Sequence, residues 1–285
     1  MTSQQTASLI LAAGRGSRMK GFDGNKTLLP LVSADSPFKG SRPILLHILS
    51  NLPPGPKGLV INYKKEDLVH ATRSLEISYY EQPRLNGTGG ALIAAREFLE
   101  TQEYDCMIIT MGDVPFVRNS TYLNLVEGLK ANNLMVLGFR PSDKKQYGVL
   151  EIEGVNVTKI VEWEYWKTYP EEKQRRLLIC NSGIYAARKD ELVQYLEILE
   201  KRPHKVRKER RGRLVEVEEF FITDLVELMK DNGLKVGYAL AEDENEVMGV
   251  DDLPSLLKAQ EIFARQARRN GGTGERGNGK TQTKA

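Results

Sequence analysis

Short apolar runs bounded by turn residues alternate with stretches in which apolar positions recur every three or four residues. Residues 8–12, 59–62, 77–80, 106–111 and 134–139 have the length and composition of buried strands. Residues 43–51, 66–75, 88–100 and 120–131 carry helical periodicity between them. Such alternation predicts βαβ units, hence an α/β fold: a Rossmann-like, mostly parallel sheet with helices on both faces. Ligands of such sheets lie outside the carboxyl ends of the strands, so chemistry is sought in the loops that follow them.

Farther along the pattern changes. Residues 147–152 and 156–163 read as a hairpin turning at Glu153-Gly154, and residues 181–187 as a strand. Helices are expected over 190–200 and 222–232, then a strand over 235–240 and a last helix over 253–268. The Gly-rich polar tail, residues 270–285, buries nothing and is expected to be disordered. Trp163, Tyr165, Trp166 and Tyr169 read as a packed lid or a subunit interface. Residues 201–213, KRPHKVRKERRGR, read as a solvated basic loop.

Composition narrows the field modestly. A net charge of +3 over 285 residues dictates no partner, and nucleic acid is not expected to be one. No apolar run reaches the ~20 residues of a bilayer span, and the polar start of the chain lacks a secretory pattern. Cys106 and Cys180 sit in apolar runs without metal-ligand spacing, so they read as structural thiols in a reducing cytoplasm.

The chemistry begins directly after the first strand, at Leu11-Ala12-Ala13-Gly14-Arg15-Gly16-Ser17-Arg18-Met19. Glycines there let backbone N–H groups turn tightly against phosphate oxygens, and Arg15 and Arg18 can add charge-assisted contacts. No Gly-Lys-Ser/Thr follows, and Met19 takes the place of a third glycine, which excludes the Walker and dinucleotide loops. Lys26 follows in the same loop, where an ammonium could neutralise charge growing on an α-phosphate and a departing pyrophosphate. Gln82 opens the stretch that leads to Gly87-Thr88, with Thr88 a plausible helix N-cap. A primary amide can donate to one uracil oxygen and accept from N3–H, or serve cytosine if flipped. Asp113 ends the most apolar strand, where a magnesium ligand belongs, and Asp251, with Asp252 as a competitor, is its proposed partner. Alone, each has a plainer reading: a solvated lysine, a capped helix, a turn aspartate.

Together these motifs resemble the sugar nucleotidyltransferase superfamily, in particular the uridyltransferase domain of bacterial N-acetylglucosamine-1-phosphate uridyltransferases. The likeness runs from Leu9 to about Gln260. It implies a nucleotide-diphospho-sugar transferase fold and transfer of a nucleoside monophosphate, UMP from UTP, to a sugar 1-phosphate such as N-acetylglucosamine 1-phosphate, with release of pyrophosphate. Arg18 and Lys26 would then be catalytic, and Leu11, Ala12, Ala13, Gly14, Arg15, Gly16, Gln82, Gly87 and Thr88 would bind nucleotide. Gly148, Glu162, Asn181 and Thr223 would bind the acceptor, and Asp113 and Asp251 would hold Mg2+. The chain departs from the uridyltransferase domains at Asn25, usually proline, at Phe221, usually tyrosine, and at Asp251, asparagine there but commonly aspartate in other superfamily members. Residues 1–269 would form one nucleotidyltransferase domain, with a nucleotide half over about 1–140, an acceptor half over about 141–252 and a helix over about 253–269. A cytidylyltransferase acting on a non-sugar phosphate and a non-catalytic nucleotide-binding regulator stay open, as does assembly into homo-oligomers.

Overall fold

A computed structural model describes residues 5–210 and 213–271. In chain order it has β1 (Thr6–Leu11), a 3-10 turn (Lys26–Leu28), β2 (Pro30–Ser36), β3 (Lys39–Pro43), α1 (Ile44–Asn51), β4 (Lys57–Ile61), α2 (Lys65–Thr72) and β5 (Ser78–Glu81). Next come α3 (Thr88–Ala94), α4 (Arg96–Thr101), β6 (Cys106–Met111), α5 (Asn119–Gly128), β7 (Leu134–Phe139), β8 (Val149–Glu153) and β9 (Asn156–Val161). The remainder is α6 (Trp163–Trp166), α7 (Glu171–Arg176), β10 (Cys180–Arg188), α8 (Lys189–Glu200), β11 (His204–Arg210), β12 (Arg213–Glu219), α9 (Asp224–Asp231), β13 (Val236–Leu240) and α10 (Leu253–Gly271).

Nine strands share one sheet, with the path β13-β7-β10-β6-β1-β4-β5 and the β8–β9 hairpin attached through β10. Pairings of β1 with β4 and β6, β4 with β5, and β7 with β13 are parallel, whereas β10 runs antiparallel between β6 and β7. The later part of the chain thus returns β10 and β13 to the first part's sheet and attaches β8 and β9 to it through β10. Strand β7 is apolar throughout and β6 is apolar but for the buried Thr110, because both of their faces are covered. The two-residue period sends Ile10, Ile108 and Leu137 into one core and Leu9, Ile109 and Val136 into the other. Burial pushes the thiols of Cys106 and Cys180 up to about 11, so both stay protonated and inert. Among the described residues no helix is long and apolar enough to cross a membrane.

Several expectations are corrected. The helix over 88–100 is two helices, because the chain bends at the fully buried Ala95 and carries both Leu92 and Phe98 into one core. Within residues 201–213 the segment 204–210 is strand rather than loop, while 211 and 212 lie outside the described residues: β11 and β12 form a separate two-stranded ribbon, with Lys205 facing Glu218 and Arg207 facing Glu216. Opposite charges and the Val206–Val217 pair across the ribbon explain why residues 204–210, which read as basic loop, form a strand. The last helix continues to Gly271, past the predicted start of the tail at 270, while residues 272–285 lie outside the described residues. The aromatic cluster divides: Trp166 is buried and donates from Nε1 to the Tyr147 carbonyl at 2.8 Å, Trp163 and Tyr169 pack against the core, and Tyr165 is exposed.

Candidate active site

Loops leaving the carboxyl ends of β1 and β6 run side by side, joined by the Gly112 N–H to the Leu11 carbonyl at 2.9 Å. Leu11, Ala12, Ala13 and Gly14 line a cavity of ≈ 380 Å3 together with Lys26, Gln82, Gly87, Thr88 and Asp113. Arg15 and Gly16 lie outside that lining, Arg15 exposed. Gly16 has φ +60, and a Cβ there would sit 3.1 Å from the Lys26 chain, so the loop packs directly on the lysine.

Asn25 explains how Lys26 is aimed. Its buried side chain accepts from the Thr27 N–H at 3.0 Å and donates to the Tyr63 carbonyl at 2.8 Å, capping the 3-10 turn that presents Lys26. The Lys26 Nζ donates to Asp113 Oδ2 and, at 2.7 Å, to Asp251 Oδ1. Burial works against the Lys26 ammonium, but the carboxylates of Asp113 and Asp251 outweigh it and hold its pKa above the ordinary value. Arg18, mostly exposed, reaches Asp251 at 3.1 Å. Residues 138 positions apart in sequence meet because the Val250 N–H bonds the Asp113 carbonyl at 2.8 Å, which sets Asp251 beside Asp113. Asp252 is drawn elsewhere: its carboxylate accepts from the Ser255 N–H at 2.9 Å and hydroxyl at 2.7 Å at the start of α10.

Gln82 is buried, and its Nε2 donates to Asn86 Oδ1 and to the Gly87 carbonyl, each at 3.0 Å. The carbonyl fixes the amide's orientation, because the flipped form would set oxygen against oxygen. Among the described residues no donor reaches Gln82 Oε1. Gly87, rather than Thr88, is the N-cap residue of α3. The Thr88 hydroxyl is instead engaged by the Ile222 N–H at 3.2 Å. Gly87 has φ +94, and a Cβ there would lie 2.2 Å from the Phe220 carbonyl oxygen. Gly87→Ala is therefore expected to cost on the order of 1–3 kcal/mol and to part this loop from residue 220. A lowered Tm together with weaker nucleotide binding by calorimetry is the expected outcome, and an unchanged Tm would contradict it.

The four acceptor candidates also converge. The Asn181 N–H donates to the Gly148 carbonyl at 2.8 Å, and a Cβ on Gly148 would lie 3.2 Å from Glu162 Oε2. Burial raises the Glu162 pKa, and a hydrogen bond with the Thr223 side chain opposes the rise. Asn181 Oδ1 accepts from the Gly183 N–H at 3.1 Å, and a Cβ on Gly183 would lie 3.2 Å from Met111 Cε, a residue lining the nucleotide-side cavity.

The match to the MobA-like NTP transferase domain covers residues 8–178, well over half of the chain and all of the loops just described as far as Glu162. The chain belongs to that family. It is a nucleotidyltransferase of the NTP transferase type. It is 30% identical over 272 residues to the bifunctional protein GlmU of Ruegeria pomeroyi, a match covering 92% of this chain and 54% of that protein. The chain spans about half the length of the curated relatives it matches. A putative glucose-1-phosphate thymidylyltransferase from Bacillus anthracis shares the fold with TM-score 0.62 and 19% identity over 90% of this chain and 95% of that one. The uridine diphosphate N-acetylglucosamine pyrophosphorylase from Trypanosoma brucei does so with TM-score 0.71 and 12% identity over 95% and 68%.

In this NTP transferase, Asp113 and Asp251 are the residues able to hold a divalent cation. Carboxylate oxygens that share one ammonium nitrogen lie within about 6 Å of each other, close enough to share a metal, and oxygen-only donors suit Mg2+. Among the described residues no group of three or more His, Cys, Asp or Glu could hold one. The remaining positions of an octahedral ion would fall to water and substrate phosphate, as is usual for Mg2+. Two features had not been anticipated from sequence. Glu219, buried in the apolar alternation of β12, lines the cavity beside Phe221. A larger groove, ≈ 960 Å3, opens beyond Arg18 and Asp251 and carries Lys145 and Lys258.

Proposed function

We propose that the protein transfers UMP from UTP to a sugar 1-phosphate, N-acetylglucosamine 1-phosphate or a related hexose 1-phosphate, and releases pyrophosphate. The observation that carries this reading is the meeting of Lys26, Asp113 and Asp251 at the strand ends. They stand beside a cavity that offers the Gln82 amide oxygen, with the Gly148, Glu162, Asn181 and Thr223 group across Met111.

An oxygen of the sugar phosphate attacks the α-phosphorus in line. The new P–O bond forms as the bond to the β-phosphate bridging oxygen breaks, and pyrophosphate leaves with that electron pair. A phosphate oxygen is already a competent nucleophile at neutral pH, so no side chain need remove a proton. His47, His70 and His204 accordingly stay outside the cavity lining, with His47 packed edge-on against Phe116 and Phe263. Catalysis is then positioning and charge stabilisation: N–H groups of the Gly14 loop orient phosphate oxygens, while Lys26 and Arg18 meet the charge that develops on the leaving group. Mg2+ held by Asp113 and Asp251 would supply further electrophilic stabilisation of the phosphate oxygens.

Gln82 carries the base preference. With Nε2 committed to Gly87, the oxygen it presents accepts from uracil N3–H and repels the unprotonated N3 of cytosine. Gln82→Leu is expected to lower kcat/KM for UTP roughly 10–100-fold and to narrow the preference over CTP. An unaltered UTP to CTP ratio would remove the role. The function itself is tested by incubating the protein with each NTP and a panel of sugar 1-phosphates and measuring pyrophosphate and nucleotide sugar together. UTP with a hexose 1-phosphate should give both. Turnover confined to CTP with a polyol phosphate would replace this reading with a cytidylyltransferase.

A further inference from the structure

The β11–β12 ribbon is the part of the fold that the proposed reaction leaves without a task. It is a sheet of its own, and among the described residues it supplies none to either buried core. A lone two-stranded ribbon is marginal in water, so what it touches at its base matters. There His204 and Glu219 stand opposite one another in register. Glu219 lines the nucleotide-side cavity, while His204 faces the residues that lead into α9.

We propose that His204 is a positioning residue for the acceptor: from the ribbon it holds Phe221 and Asp224, and through them Thr223, in place at the cleft. Its Nε2 lies 2.8 Å from Asp224 Oδ2, and its ring meets the Phe221 ring edge-on with centroids 5.2 Å apart. The Asp224 N–H also donates to the Phe221 carbonyl at 3.2 Å, so histidine and backbone hold the same residue. Phe221 lines the cavity, and the Thr223 side chain, between Phe221 and Asp224, acts against the rise that burial imposes on the Glu162 pKa.

The other side of this segment is tied to the nucleotide loop. The Gly89 N–H bonds the Phe220 carbonyl at 2.8 Å, the Phe220 N–H bonds the Asn86 carbonyl at 2.9 Å, and the Ile222 N–H bonds Thr88. Residues 220–224 therefore form a strap whose nucleotide edge is held by backbone and whose acceptor edge is held by His204. Loss of the imidazole would leave a half-buried carboxylate short of a partner and free the Phe221 ring, while the bonds to Asn86 and Gly89 survive. The effect should fall on the acceptor and spare the nucleotide.

This inference rests on the acceptor reading above, and the experiment separates the two. His204→Ala, His204→Gln and His204→Phe are compared with wild type in full steady-state kinetics, with Tm recorded for each. For His204→Ala the acceptor KM should rise about tenfold or more while the nucleotide KM stays within about twofold. Gln retains a donor and Phe retains a ring, so each should recover part of the loss. An active wild type whose acceptor KM is unmoved by His204→Ala overturns the inference alone. So does a parallel rise in both KM values, or a failure of both Gln and Phe to recover any of it. Absence of turnover by wild type with every sugar 1-phosphate overturns the acceptor reading and takes this inference with it.

Discussion

Lys26→Met is expected to lower kcat roughly 10²–10³-fold, the usual cost of removing one preorganised charge-stabilising donor. Nucleotide affinity should fall much less, because in the proposed reading the Gly14 loop and Gln82 would hold the remainder of the substrate. Lysine-to-arginine exchange should not restore the rate. The Gly16 backbone packs against the Lys26 chain, and a planar guanidinium cannot take the place of a compact ammonium set between two carboxylates. A second effect accompanies the first. In the free protein the ammonium stands where a cation shared by Asp113 and Asp251 would stand, so Lys26→Met should bind Mn2+ more tightly than wild type when nucleotide is absent. Pyrophosphate release and an Mn2+ titration read the two effects separately. A Met variant with near-normal kcat would show that the ammonium meets no developing charge.

Asp113→Ala is expected to be at least as damaging, reducing magnesium-dependent turnover by roughly 10³-fold or more, equivalent to several kcal/mol of lost electrophilic stabilisation. The fold should survive, because the contact that joins residue 113 to the 250 segment is made by its backbone carbonyl and is untouched by the substitution. Asp251→Asn should be milder, since an amide oxygen still ligates. Circular dichroism with an unchanged Tm separates a lost ligand from a lost structure. Normal rates for Asp113→Ala in magnesium would remove the carboxylate from the chemistry.

The parts legible in sequence share a physical cause. Strands β6 and β7 are covered on both faces, so their residues, Thr110 excepted, are apolar and their limits at 106–111 and 134–139 could be read directly. Strands β2 and β3 are exposed along most of their length and carry no such pattern, so the hairpin they form was missed. In β11 and β12 the stabilising pairs are ionic and lie across the ribbon, where a reading along the chain sees only a run of basic residues. Glycines and charges near the strand ends marked the Gly14 loop, Lys26 and Asp113 from their local context, and Gln82 followed from the family resemblance. What no local context contains is the company each keeps. That Asn25 caps the turn beneath Lys26, that Val250 docks on Asp113, and that Asp252 is spent on Ser255 are facts of tertiary pairing. Thr88 shows the reverse failure: a residue type suited to capping α3 is engaged by Ile222, while a glycine with positive φ begins the helix.

The central claim is that one cation joins Asp113 and Asp251 beside the α-phosphate of a nucleotide whose base meets Gln82. A crystal structure with the α,β-methylene analogue of UTP and Mn2+ addresses it in a single measurement. The account predicts an anomalous manganese peak within coordination distance of both carboxylates and an α-phosphate oxygen, with Lys26 turned from the carboxylates to the phosphates and the uracil against Gln82. Manganese bound away from both aspartates, or the nucleotide seated with its base in the groove of Lys145 and Lys258, would contradict it.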